Sequence, residues 1–407
     1  MPRFKRVWPS NGVTANFGKE TAMENVIIAG GGIAGLSAAL ALLQKGVKVR
    51  LYEQAKEFAE VGAGITLSQP ASRGLFSLGL QDVIEKAADI PARAGAVDFE
   101  TGEPEEGPDL MQTAREAGEI PYYYQIHRAD LHEILADAVR AADSECITLG
   151  KAVVDLAQDA EGVTVTFQDG SEARGDVLLG ADGINSRVRA LLFGEENPRF
   201  TGQVAYRFLV PVADVADYLG HGASVKYTGQ GKTLLRYIIR HGTLVNGVGF
   251  VPTDSWTEEG WSTPVEHEEL LEKFAGANPE LEELLKRAPI DGTRKWALFD
   301  RDPIERWVVG RVALLGDGAH PMLPFLGLGA AMGIEDAVVL GRALTSGKPL
   351  EEALAIYEAT RKDRANGVLL QSRAQGLADQ SGGVATARPL DHQQLMAYDP
   401  ASVPLAA

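Results

Sequence analysis

The first strongly patterned stretch of the chain is a four-residue apolar run at 26–29, followed by Gly30, Gly31 and Gly32. An Ala- and Leu-rich segment then runs from 33 to 45 and stops at Gly46. A short continuous apolar run predicts a strand buried on both faces, and the longer segment predicts a helix with Gly46 just past its C-terminus. Residues 26–43 carry no charge, a length at which a membrane span has to be considered. Gly30, Gly31, Gly32 and Gly35 interrupt the run, and a β-branched pattern resumes at 47–52, so the prediction is strand, turn, helix, strand.

Two further apolar runs behave like that first strand. Residues 177–181 lead into Asp182-Gly183, and residues 307–315 lead into Gly316-Asp317-Gly318-Ala319-His320-Pro321, then Gly327-Leu328-Gly329 and an Ala-rich helix. Residues 199–293 read instead as β-rich, with candidate strands at 204–210, 234–240 and 244–251 and a polar helix around 266–287. Residues 93–121 are rich in Gly, Pro and acidic residues without periodicity, and are expected to form an irregular excursion beside the same sheet.

Composition narrows the partners. The chain has 407 residues, 45% of them hydrophobic, enough for more than one core. Its formal net charge of −17 argues against a nucleic-acid or anionic-membrane surface. A single cysteine, Cys146, allows neither an internal disulfide nor a multi-thiolate metal site, so no metal and a cytoplasmic location are expected. Residues 1–22 carry basic side chains but no apolar core of a secretory signal, and are read as a disordered leader before a start at Met23.

The spacing Gly30-x-Gly32-x-x-Gly35, with Ala34 inside it, supplies a tight turn, a bare backbone beside a pyrophosphate, and close helix-to-strand contact at a helix N-terminus. Glu53 ends the next strand about 20 residues on, where a carboxylate accepts from ribose hydroxyls; an exposed strand-end glutamate is the alternative. Asp317 at a strand end suits a ribityl chain, and the amides of Gly329, Ala330 and Ala331 suit the N1 and C2 carbonyl edge of a flavin.

The Gly30 turn, Asp182-Gly183 and Gly316-Asp317, in this order, resemble the class A flavoprotein hydroxylases, the family of salicylate and p-hydroxybenzoate hydroxylases, over roughly 24–399. The resemblance implies an α/β fold: a Rossmann-like FAD-binding domain assembled from 23–92, 122–198 and 294–378. It further implies a β-sheet-rich substrate domain from 93–121 and 199–293, C-terminal helices and a tail at 379–407. It also implies FAD, NADH or NADPH as cosubstrate, O2, a flavin C4a-hydroperoxide, and hydroxylation of a small phenolic or aromatic-acid substrate by a monomer or homodimer. A related epoxidase or dehydrogenase acting on a non-phenolic substrate is the alternative. Arg128, in the phrase Gln125-Ile126-His127-Arg128-Ala129-Asp130-Leu131, inherits a contact with FAD, against an exposed helix-start arginine. Asp182 inherits a pyrophosphate or pyridine-nucleotide role, against a helix cap.

Four residues are pocket candidates. Arg207 lies within an apolar strand pattern, where a guanidinium needs a substrate carboxylate or phenolate, or else an internal carboxylate. Tyr237 alternates with Leu235 and Ile239 and shares their face. His320 either influences the pocket or caps the turn before Pro321, and Pro324 stands where relatives carry a polar side chain. Thr233 occupies a position where the salicylate-type relatives often place a histidine.

Overall fold

The apolar run at 26–29 forms the strand Asn25–Ala29, which sits inside a six-stranded sheet. Across the sheet the order is Val308–Val309, Val312–Leu314, Val177–Gly180, Asn25–Ala29, Lys48–Glu53, Ile147–Leu149. Every pair is parallel except the edge hairpin of Val308–Val309 with Val312–Leu314. Helices cover this sheet, which is why Val26, Ile28, Val177, Leu178 and Leu179 are all fully buried. The computed structural model describes residues 25–58, 63–91, 94–105, 111–112, 123–254, 256, 263–381 and 391–407. The expected leader lies outside them, as does part of 93–121. No described helix is long and apolar enough to cross a membrane.

A second, seven-stranded sheet has the order Thr263–Pro264, Arg294–Asp300, Arg199–Pro211, Leu244–Pro252, Lys232–Ile239, Ser224–Gly229, Ala94–Asp98. All pairs are antiparallel except the last. One face carries Val204, Tyr206, Phe208 and Leu234 onto Phe274, Leu281 and Leu284 of the following helical region, making a core separate from that of the parallel sheet. The other face is left for the parallel sheet and its loops.

Four expectations change. Residues 94–98, read as irregular, form an edge strand. The sheet also continues past the expected boundary at 294 through Arg294–Asp300, because Lys295 turns to Glu269 at 3.0 Å while Trp296 turns the other way. The polar helix at 266–287 is two helices, His267–Lys273 and Pro279–Lys286, since Gly276 is left-handed and Asn278-Pro279 begins a new capped turn. The tail at 391–407 is packed: Arg342 donates to Pro400 O at 2.8 Å and Arg364 to Leu395 O at 2.9 Å.

Two features position the loops above the parallel sheet. Helix Ile33–Leu43 crosses helix Gly329–Leu344 at small residues: a Cβ on Gly333 would stand 3.0 Å from Ala34 Cβ, and one on Gly341 3.0 Å from Ala41 Cβ. Beneath the Gly316 turn lies a buried ionic network. Asp336 accepts from Gly316 N–H at 2.9 Å and from Arg361 Nε at 2.8 Å, and its Oδ2 lies 2.5 Å from His320 Nε2. Arg361 also pairs with Glu335, which takes a two-pronged contact from Arg364 at 2.8 and 2.9 Å. Tyr398 stacks on Arg364 at 3.9 Å, tying the C-terminal segment to the same cluster.

Burial pushes the Asp336 carboxyl up, but His320 and Arg361 outweigh it and hold the group at about 2. A folded-state value below the ordinary one adds stability above pH 4 or so and surrenders it as pH falls toward 2. Arg361→Met, which leaves Glu335 to Arg364 alone and Asp336 to His320 and the Gly316 amide, is expected to cost about 3–5 kcal/mol. A urea unfolding series at neutral pH checks this, and an unchanged midpoint would contradict a shared network.

Candidate active site

Both sheets contribute to one cleft of about 430 Å³. At its base Gly30 has φ +108°, and a Cβ there would stand 2.3 Å from Ala181 O; a Cβ on Gly35 would stand 2.0 Å from Gly30 O. Strand, turn and helix touch at these two points, so neither accepts a side chain. Gly32 is different: it lines the cleft and a Cβ there meets nothing within 4 Å. Helices Ile33–Leu43 and Gly329–Leu344 both begin with no side-chain cap and no acidic residue in the first turn. Their first amides have no intrahelical acceptor, and Ala34, Gly329 and Ala330 line the cleft, so two positive helix ends meet one space.

Two charged side chains from these turns join them. Asp317 is exposed only onto the cleft; loss of solvent pushes its carboxyl up, His320 and Arg128 pull it back, and Asp336 adds to the rise. Arg128, the first residue of helix Arg128–Ala142, lines the same cleft, where burial lowers its pKa and Asp317 raises it. Glu53 braces the glycine turn instead of pointing away from it, accepting from Gly31 N–H at 2.7 Å and Ala55 N–H at 2.8 Å. His132, one helical turn beyond Arg128, contacts Gly31 O through Nε2 at 2.7 Å.

The opposing wall is the free face of the seven-stranded sheet. Arg207 pairs with Val248, which pairs with Leu235; Tyr237 pairs with Asn246; Phe250 pairs with Ala205, which pairs with Trp296. Of these, all but Ala205 line the cleft. Asn246, Val248, Phe250 and Trp296 follow from strict alternation along their strands, but which face meets the cleft was not readable before the sheets were set together. Arg207 lies over the Trp296 ring at 5.0 Å. Among the described residues none of the ion pairs involves Arg207, so an internal carboxylate partner is not what holds it. Its pKa is lowered by burial first and Arg128 second, and raised by Tyr237. Tyr237 is buried against Gly64, and its pKa is pushed up by burial; the hydrogen bond with Thr66 and the charge of Arg207 pull it down, while Tyr123 raises it. Its phenol therefore stays protonated.

Four sequence candidates do not line the cleft with their side chains, and one of them, Glu53, braces the glycine turn as described above. His320 is fully buried in the Asp336 network against Trp307, with ring centroids 4.9 Å apart, so a catalytic role is withdrawn: its imidazole supports the Gly316 turn. The Asp182 carboxylate accepts from Ser186 Oγ and from Val188 N–H at 3.0 Å, which makes it a brace for helix Arg187–Phe193; Ala181 and Gly183 line the cleft in its place. Ala331 is buried behind Ala330. Pro324 does line the cleft, whereas Thr233 is buried opposite Phe250 with an unpartnered Oγ1.

Known proteins share this arrangement. An FAD binding domain family model matches residues 23–372. A 3-hydroxybenzoate 6-hydroxylase of Klebsiella oxytoca is 36% identical, with 88% of this chain and 89% of that protein covered. A 3-amino-4-hydroxybenzoate 2-monooxygenase of Streptomyces platensis is 37% identical, covering 88% of each. Among solved structures, HpxO of Klebsiella pneumoniae in complex with FAD and uric acid superposes with a TM-score of 0.79 at 30% identity, over 88% of this chain and 89% of that one.

The cleft fits an FAD: the orphaned amides of helix Ile33–Leu43 and the open position at Gly32 suit its phosphates, the orphaned amides of helix Gly329–Leu344 its ring edge, and the Asp317 carboxylate its ribityl hydroxyls. This separates two glycine substitutions. Gly32→Val is expected to fold with the melting temperature of the flavin-free wild type and emerge without yellow colour, because its side chain enters only the cleft. Gly30→Ala, which collides with Ala181, is expected to lower the melting temperature as well. Flavin absorbance per chain and a thermal scan test both, and a fully flavinylated Gly32→Val would remove Gly32 from the cofactor site.

Proposed function

The chain belongs to the FAD-dependent aromatic monooxygenases, and from that membership we propose that its substrate is a small hydroxylated aromatic acid, bound between Arg207 and Tyr237. The carrying observation is Arg207, a half-buried guanidinium on Trp296 that faces the cleft together with Arg128 and has no carboxylate partner among the described residues. A desolvated guanidinium facing the cleft favours an anion, and its planar fork receives a carboxylate in two-pronged geometry. The names of the relatives agree with this reading, since 3-hydroxybenzoate, 3-amino-4-hydroxybenzoate and, in Pseudomonas fluorescens, 6-hydroxynicotinate are all hydroxylated aromatic acids.

Bound FAD would supply the redox chemistry that transfers one atom of O2 to a ring carbon and reduces the other to water, with electrons from NADH or NADPH. The balance is one ring C–H, O2, nicotinamide and a proton converted to ring C–OH, water and oxidised nicotinamide. The chain's own residues have three tasks. Arg207 orients the acid, and Tyr237, kept protonated by burial, offers an O–H to a ring oxygen. Leu235, Val248, Phe250 and Leu323 exclude water from the ring while the amides at Gly329 and Ala330 stabilise negative charge at their end of the cleft. Among the described residues no histidine lines the cleft, so the hydroxyl proton leaves to solvent. A cytoplasmic monomer or homodimer completes the reading.

Loss of a hydrogen bond to a charged group costs about 1.5–3 kcal/mol, so Arg207→Gln is expected to weaken hydroxybenzoate binding about 10- to 150-fold. Phenol binding is expected to change little, and flavin content not at all; titration of the flavin spectrum with each ligand distinguishes these. Equal weakening for phenol and hydroxybenzoate would refute the carboxylate assignment. Tyr237→Phe is expected to lower turnover without removing any ionisation at or below pH 10, because the folded tyrosine titrates above its ordinary 10.0. A hydroxybenzoate panel run with NADH and with NADPH, quantifying hydroxylated product and hydrogen peroxide, tests the reaction itself; nicotinamide oxidation yielding only peroxide with every acid would refute it.

A further inference from the structure

Behind the cleft lies a second cavity of about 420 Å³, bounded by the far end of helix Leu350–Ser381 and the paired strands Arg199–Pro211 and Arg294–Asp300. Leu323 lines both spaces, so a single side chain is common to the two walls. Beside it the Phe325 ring packs on Phe250 of the cleft, with centroids 5.1 Å apart. On its other side that ring lies in a dent of the helix at Gly376, where a Cβ would stand 2.3 Å from it. Outward, the cavity reaches Leu377, which is 58% exposed, and Phe200.

Two polar atoms lining this cavity lack a hydrogen-bond partner among the described residues, Gln203 Oε1 and Arg373 Nε, and the latter still faces Asp300 in an ion pair. Gln203 is buried, and its Nε2 donates to Gly376 O at 3.3 Å, but its Oε1 accepts from nothing in the described protein. A buried acceptor left open costs free energy unless a ligand or water supplies a donor. Phe200, Leu323, Phe325 and Leu377 beside one open acceptor match a ring with a single O–H, while Arg199, Asp300 and Arg373, which also line the cavity, pair with one another.

We propose that this outer cavity is a second binding site for the hydroxyarene, a vestibule in which Gln203 Oε1 accepts the ring hydroxyl before the ring passes Leu323 and Phe325 into the cleft. The inference rests on the aromatic-substrate reading of the cleft. The vestibule selects for the hydroxyl, and the cleft beyond it selects for the acid at Arg207. Phe325 is the movable part of the partition, because the Gly376 dent leaves its ring backed by backbone alone, and Ser372 Oγ anchors the loop by donating to Leu323 O at 2.6 Å.

Crystals of the FAD-loaded protein soaked in 4-bromophenol separate the two readings through the anomalous signal of bromine. The expected result is two sites, one in the cleft beside Arg207 and one in the outer cavity with its hydroxyl on Gln203. Bromine in the cleft alone overturns the vestibule and leaves the cleft reading intact; bromine in the outer cavity alone overturns the cleft reading and, with it, passage from the vestibule; bromine in neither overturns the vestibule. In solution, Gln203→Leu is expected to weaken the outer site about fivefold, the worth of one neutral hydrogen bond. Leu377→Trp, at the exposed mouth and therefore harmless to folding, is expected to slow both binding and release of 4-bromophenol at the flavin while leaving their ratio unchanged. Wild-type rates in Leu377→Trp overturn the route. An adventitious additive only, shown by equal outer-site occupancy with bromobenzene, which has no hydroxyl, overturns the role of Gln203.

Discussion

The site depends on how closely two helices approach. Helix Ile33–Leu43 and helix Gly329–Leu344 are separated by about 300 residues of chain, yet their N-termini open on the same cleft because Ala34 fits against Gly333 and Gly316, and Ala41 against Gly341. A larger residue at any of these points separates the axes, and the two sets of orphan amides then no longer face one ligand. Close contact of small residues thus converts two ordinary helix starts into a single anion-favouring site.

The ionic network below Gly316 preserves that geometry. Asp336 holds the Gly316 amide, and Arg361, Glu335 and Arg364 carry the constraint outward to the C-terminal segment through Tyr398. The histidine of the Gly-Asp-x-x-His-Pro phrase belongs to this support. Its side chain is next to the chemistry in sequence and behind it in space, since a strand-end turn sends successive side chains to opposite sides.

Charge in the cleft is arranged by the same separation of roles. Asp317 and Arg128 stand among the turns that receive FAD, while Arg207 stands on the opposing sheet with Trp296 beneath it. The buried tyrosine at 237 and the apolar row of Leu235, Val248 and Phe250 make the rest of that wall dry, which strengthens each remaining polar contact.

The parallel sheet, the glycine turn and the Gly316-Asp317 turn were legible in the sequence, because continuous apolar runs ending in glycine have few other uses and their spacing reports a phosphate-binding turn. The alternation around Arg207 and Tyr237 was legible as well, since period 2 assigns faces within one strand. What the sequence could not supply was which face of which strand meets the cofactor turns. The strand at 94–98, the continuation through Arg294–Asp300, and the contributions of Asn246, Phe250 and Trp296 all depend on pairings between residues far apart in the chain. His320 and Asp182 show the same limit from the other side: local sequence placed them beside the site, and only the long-range partners Asp336 and Arg361, or the cap at Ser186, turned their side chains away from it. Local pattern determined the elements and their turns because it acts through nearest-neighbour sterics and burial. The tertiary structure decided which side chains face the cleft, because that is set by contacts no local pattern encodes.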